Sequence, residues 1–184
     1  LNLFVLDTDP DVAASYHCDK HVLKMIIETG QLLCTAHWVL WLKHLGKNRD
    51  DFRLLRDVND FLLQSIPVDE QPPWKMTHVN HPCAIWVRET VSNYSWALRL
   101  MKALLLQYKI RYKKAHKSQA VYRWLHQNIP PGIKDESLTD FPICMPEDCK
   151  VNEDPVLSYQ KYYLEKKSYM AKWKTGKVPP WWRD

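Results

Sequence analysis

A chain of 184 residues with 46% apolar side chains has the length and the hydrophobic surface for one packed core, which excludes global disorder. Only four glycines are present, none in a glycine-rich turn. That excludes a P-loop and a dinucleotide-binding turn, both of which need backbone close to a phosphate. The net charge of +5 permits an acidic partner without requiring one, so the distribution of charge matters more than its sum.

The five cysteines (Cys18, Cys34, Cys83, Cys144 and Cys149) are odd in number and widely spread. With no signal-peptide pattern, they predict a reducing, cytoplasmic setting. No apolar run approaches the ~20 residues of a membrane span. The richest stretch, 32–45, is interrupted by His37, Lys43 and His44, so a soluble protein is expected.

In chain order, residues 1–7 (LNLFVLD) form a short apolar segment that predicts a buried extended arm. Asp9-Pro10 is a helix start, with Asp as N-cap, Pro at the first helical position and Asp11 favourable to the helix dipole. A helix is predicted from there to about residue 45, bent at Gly30 and stopped by Gly46-Lys47-Asn48. Phe52, Leu55, Val58 and Leu62 at helical spacing predict a second helix over 52–63. Prolines punctuate a loop over 64–82, and a third helix is expected over 83–114, followed by a shorter one over 118–127. Residues 128–154 are irregular, a length that inside a compact domain usually marks function. Asp154-Pro155 repeats the helix start and launches a final helix to about residue 174. The expected fold is all-α: a single helical domain over 1–184 with an extended N-terminal arm and two long loops, 64–82 and 128–154.

His17, His21, Lys24 and Glu28 fall on one strip of the first predicted helix, whose other positions are mostly apolar. Two imidazoles, an ammonium and a carboxylate in one strip suit general acid–base chemistry, because proximity and partial burial move such groups toward neutrality. The plain alternative is a solvated face with a Lys24–Glu28 pair worth a few tenths of a kcal/mol. A zinc set drawn from His17, Cys18, His21, His81 and Cys83 is the third possibility. Cys18 projects ~100° away from His17 on a helix and no CxxC pair exists, so the sequence reading carries no metal and no cofactor.

Around the start of the third predicted helix, Asn80, His81, Arg88 and Asn93 can hold a phosphate or a base edge, with the helix N-terminus as an anion site. Capping and turn chemistry are the more ordinary explanation of any one of them, and it is the cluster that points to a ligand. From residue 90 through 134 there is no Asp or Glu, while Arg111, Lys114 and Lys117 stand with other cations among Tyr and Trp residues. The last predicted helix adds Lys161 and Lys167 among Tyr159, Tyr162 and Tyr163. Cations neutralise phosphates and aromatic faces stack on unpaired bases, so the pattern predicts a nucleic-acid partner, DNA favoured. Lysines snorkelling over an apolar stripe are the ordinary alternative.

Two segments resemble the phage-type pyrimidine-dimer DNA glycosylases. One is Asp19-Lys20-His21-Val22 followed by Glu28; the other is Tyr159-Gln160-Lys161-Tyr162-Tyr163. The layout of His17-Cys18-Asp19-Lys20-His21 and Asn80-His81-Pro82 is also similar to that of uncharacterised phage proteins. The first resemblance implies a host-cytoplasmic DNA enzyme in which the α-amino group of Leu1 attacks C1′ of a damaged or modified pyrimidine nucleotide. Glu28 would stabilise the developing cation and assist β-elimination, His21 would support the site, and the aromatic–basic segment would lie against DNA. An α-amine suits that role because it ordinarily titrates close to neutrality. The family's arginine beside the glutamate is Ile27 here. A DNA base-modifying transferase using the same strip, with a second substrate in the 128–154 loop, is the alternative enzyme. A non-catalytic nucleic-acid-binding helical module is the alternative outside catalysis.

Overall fold

The computed structural model describes residues 1–183. Among these residues the chain forms seven α-helices and no β-strand: α1 (Pro10–Tyr16), α2 (Asp19–His44), α3 (Leu55–Ser65), α4 (Pro82–Val87), α5 (Val91–Tyr112), α6 (Gln119–Gln127) and α7 (Pro155–Lys166). The fold is all-α. A lone bridge joins Thr90 to Lys134.

The two longest helices, α2 and α5, form the central pair; α1 packs on α5 and α4 on α2. The main apolar cluster runs from Leu3–Leu6 of the arm through Met25, Leu33, Leu100 and Leu104 to Tyr159 and Tyr163. A second cluster joins Trp38 and Leu42 of α2 to Val58 and Leu62 of α3. Among the described residues no helix is long and apolar enough to cross a membrane.

Three predicted helices are shorter or broken, each for an identifiable reason. The helix expected over 10–45 is interrupted at His17 and Cys18. In a continuous helix the Ser15 carbonyl would accept from the Asp19 N–H. Instead the Ser15 and His17 carbonyls accept from the Arg111 guanidinium at 2.9 and 2.8 Å, and the Asp19 N–H donates to Lys172 O at 2.8 Å. A buried cation and a returning strand of tail outcompete one turn of ladder. The helix expected over 83–114 divides at 88–90, where Thr90 Oγ1 accepts from the Asn93 N–H and starts α5 afresh. The last helix ends at Lys166, not near 174, because the chain beyond it is drawn onto the first turn of α2, where the Lys174 N–H donates to Asp19 Oδ2 at 2.9 Å.

At Gly30 the helix passes uninterrupted. The position needs glycine for packing, since a Cβ there would lie 2.5 Å from Trp74 Cζ3 and 3.1 Å from Met101 Cε.

The arm is buried as the sequence predicts, with Leu3, Val5 and Leu6 fully enclosed, but it is not extended throughout, since the Leu6 N–H turns back to donate to Phe4 O at 2.8 Å. Phe4 takes a positive φ of 48°, which turns its ring onto His21 and parallel to Tyr162.

Candidate functional site

The predicted strip is split between two environments. His17 lies outside α2, although its ring still comes within 6.3 Å of that of His21. Both imidazoles are buried, beneath Phe4 and Tyr163. The His17 Nδ1–H donates to Ala13 O at 2.7 Å, and its Nε2 is buried with no partner. His21 Nδ1 shares a 2.5 Å hydrogen bond with the Tyr163 hydroxyl. Burial drives the His17 pKa down to about 4 and that of His21 to about 3, so both rings are neutral at ordinary pH. Deep packing under aromatic rings leaves neither imidazole a route to a substrate.

Lys24 and Glu28 are different. Lys24 is well exposed and pairs with Glu28 at 3.3 Å, while the Glu28 side chain is 13% exposed. Glu28 Oε2 accepts from the backbone N–H of Asn2 at 3.0 Å. That bond brings the first residue of the chain beside the carboxylate, and Leu1 is only partly buried. Burial lowers the His81 pKa, and the Glu28 carboxylate opposes that shift. Carboxylate and imidazole thus lie close enough to influence each other beside Leu1 and Asn2.

Asn2, which nothing in the sequence singles out, organises this corner. Its amide donates to Cys144 O at 2.7 Å, and its Oδ1 accepts from the Tyr159 hydroxyl at 2.7 Å. The Cys83 thiol lies 3.8 Å from the same oxygen and donates to Cys144 Sγ at 3.6 Å. That hydrogen bond, more than any other influence, pulls the Cys144 thiol down to about 7 and holds Cys83 well above its usual range. The ligand atoms of His81, Cys83 and Cys144 all lie within 4.8 Å of one another. Two of the five residues considered for zinc from sequence, His81 and Cys83, are therefore here; Cys144 joins them from the 128–154 segment, while Cys18, His17 and His21 do not.

The residues expected to meet nucleic acid divide sharply. Asn93 is fully buried, with its amide donating to Trp86 O and Thr139 Oγ1 and its Oδ1 accepting from the Thr139 N–H. It ties the 128–154 segment to α5, with both amide N–H groups committed and no surface left for a base edge. Arg88 donates to Val79 O at 2.7 Å and braces the turn before α4. His81 caps the six-residue α4 with its own Nδ1, taking the N–H that an anion would use. Arg111 is enclosed by the Ser15, His17 and Asp19 acceptors and reaches no external phosphate. Tyr159 and Tyr163 have no exposed ring face. Tyr162 is half-buried between Phe4 and the Lys167 ammonium, which sits 4.8 Å above its ring. Lys161 donates to Asp148 O at 2.6 Å.

Asn80, Lys114 and Lys117 remain exposed. Asn80 and His81 line a shallow depression of about 430 Å³ with Arg49 and His78. The acid-free span of sequence is not acid-free in space, because Asp9 and Asp11 of the α1 start pair with Arg99. Lys102, Lys109, Lys114 and Lys117 form no ion pair among the described residues, and the first two line a groove of about 520 Å³ with His116. A second cationic surface lies at the start of α2. Lys20, Lys172 and Lys174 line a pocket of about 510 Å³, and Lys20, Lys24 and Glu28 follow at four-residue spacing along α2.

No family model, curated protein or solved structure matches the chain.

Proposed function

We propose that the protein is a nucleic-acid enzyme, DNA favoured, with glycosylase and abasic-site lyase chemistry at a damaged or modified pyrimidine nucleotide. The observation that supports this reading best is the Asn2 N–H to Glu28 Oε2 hydrogen bond, which sets Leu1, whose α-amine this reading takes as the nucleophile, close to a carboxylate only 13% exposed. In this reading the unprotonated amine forms a bond to C1′ as the base departs with its electron pair and takes a proton. The sugar ring then opens to an imine, loss of a 2′ proton expels the 3′ phosphate, and water releases the amine. Glu28 stabilises the cationic sugar and receives the 2′ proton. The cations Lys20, Lys24 and Lys172 give the phosphate chain a path to the carboxylate. His17 and His21 serve as a neutral buried floor.

The reading needs a free amine at Leu1; Lys24 Nζ is the second amine beside Glu28. Borohydride trapping on abasic-site DNA followed by peptide mapping decides between them. An adduct on Leu1 or Lys24 supports the lyase, and no adduct ends it. Glu28→Gln keeps an oxygen for the Asn2 N–H and is expected to lower turnover roughly 10²–10⁴-fold while DNA affinity stays within a factor of a few. Parallel loss of binding and turnover counts against a chemical role for Glu28.

One observation favours the transferase alternative. A depression of about 810 Å³ opens among Thr139, Phe141, Ile143, Lys150 and Asn152 of the 128–154 segment, roomy enough for a second substrate. Product formation that depends on an added small molecule selects that reading. Salt-sensitive binding without any product selects the binding module.

A further inference from the structure

We infer that His81, Cys83 and Cys144 form a binding site for a soft divalent cation, zinc above all. The inference goes beyond the lyase reading and does not depend on it.

The argument begins with donor chemistry. One imidazole and two thiols from two distant parts of the chain, the start of α4 and the 128–154 segment, bring their ligand atoms within 4.8 Å of one another. The two sulfurs are 3.6 Å apart. Two thiolates on a tetrahedral zinc at ~2.3 Å stand about 3.8 Å apart, so the pair needs a shift of only a few tenths of an ångström to grip the ion. Two thiolates and a dication sum to zero charge, which matters because Cys83 is buried and an isolated thiolate there is disfavoured.

The surroundings fix the donors. Asn2 donates to Cys144 O, the Tyr159 hydroxyl accepts from the Cys144 N–H at 3.3 Å, and the same hydroxyl donates to Asn2 Oδ1. Outer-shell bonds of this kind hold ligands in place before a metal arrives. The ion replaces weak contacts only: those of the Cys83 thiol with Cys144 Sγ at 3.6 Å and with Asn2 Oδ1 at 3.8 Å and, where His81 binds through Nδ1, the 3.2 Å contact from the Cys83 N–H.

Three protein ligands leave the fourth tetrahedral position for water, a composition found in catalytic more than in structural zinc sites. The other grouping of ligand atoms, Asp148, Cys149 and Glu165, is a poorer host. Both its carboxylates are exposed and already paired with Lys166 and Lys161.

The test uses the full chain, freed of metal with a chelator and kept reduced by a phosphine, with zinc and cobalt(II) ions as probes. One zinc per chain is expected, together with thiolate-to-cobalt charge transfer and the strong d–d bands of a tetrahedral ion. Cys144→Ser and His81→Ala should each weaken binding more than roughly 100-fold, beyond what loss of an outer-shell partner produces. Circular dichroism of the metal-free forms checks that the variants fold. Saturating zinc should raise the melting temperature of the wild-type chain by roughly 5–10 °C. It should also shield Cys83 and Cys144, but not Cys149, from alkylation, a readout that needs no variant. Three results overturn the inference: octahedral cobalt spectra without charge transfer, zinc held equally well by Cys144→Ser, or a Cys83–Cys144 disulfide that forms as fast with zinc as without it.

Discussion

His21 and Glu28 stand two turns apart on α2, and both touch the N-terminal arm, His21 through the Phe4 ring and Glu28 through the Asn2 N–H. Around His21 the arm is backed by α7, whose Tyr163 closes over the imidazole. Around Glu28 the carboxylate meets the Asn2 N–H and the exposed Lys24 ammonium and keeps 13% of its side chain in solvent. One helical face thus holds a neutral, sealed imidazole and a carboxylate open to solvent in part. Spacing on a helix determines which residues share a face, and the elements laid over that face determine which of them can do chemistry.

Three experiments break or sharpen the comparison, beginning with the largest expected effect. The sealed end depends on Arg111, whose guanidinium satisfies the Ser15 and His17 carbonyls and meets Asp19 at 3.1 Å. Arg111→Ala leaves those acceptors without their donor and should cost about 3–5 kcal/mol in denaturant titration. A loss below ~1 kcal/mol would mean that water reaches this end as freely as the other.

The second experiment is a pH series. Burial holds His17 at about 4 and His21 and His37 at about 3, all below the ordinary value of 6.5. The unfolded chain therefore binds these protons first. Stability that is present above pH 6.5 is lost as pH falls toward 4 and then 3. The melting temperature should already drop between pH 6.5 and 5, before most carboxylates titrate. His21→Gln should flatten the stability slope near pH 5 by about one proton. A melting temperature constant across that window contradicts the sealed environment.

The smallest effect belongs to the open end. Lys24→Ala removes an exposed partner from an i,i+4 pair and should change stability by only about 0.2–0.5 kcal/mol. A loss several times larger would place Lys24 in a structural role and move the boundary between the two ends toward solvent.

Much of the architecture was legible in the sequence. Asp9-Pro10 and Asp154-Pro155 both start helices as written, with each Asp side chain accepting backbone N–H bonds, and the arm is buried as its apolar run predicts. The break at His17–Cys18 was not legible, because its causes, Arg111 and Lys172, lie far away in the chain; the one at 88–90 joins a local cap, Thr90, to a distant acceptor, Lys134 O. The candidate site was legible in part. Glu28, Lys24 and His81 stand out by residue type and spacing, but Asn2 and Cys144 carry no local signal. The aromatic–basic run at 159–163 misleads for a physical reason. Tyrosine is amphipathic, and the same residue that stacks on a base also fills a core when its hydroxyl finds a partner, as Tyr159 and Tyr163 do.

The sequence by itself determined the class of fold, the two Asp-Pro helix starts and the strip of one helix shared by His21, Lys24 and Glu28, because caps and hydrophobic periodicity act over a few residues. Only the tertiary structure decided which end of that strip meets solvent and which thiols meet an imidazole. Burial and ligand geometry are set by segments more than a hundred residues apart in the chain, joined here by Asn2 and Tyr159.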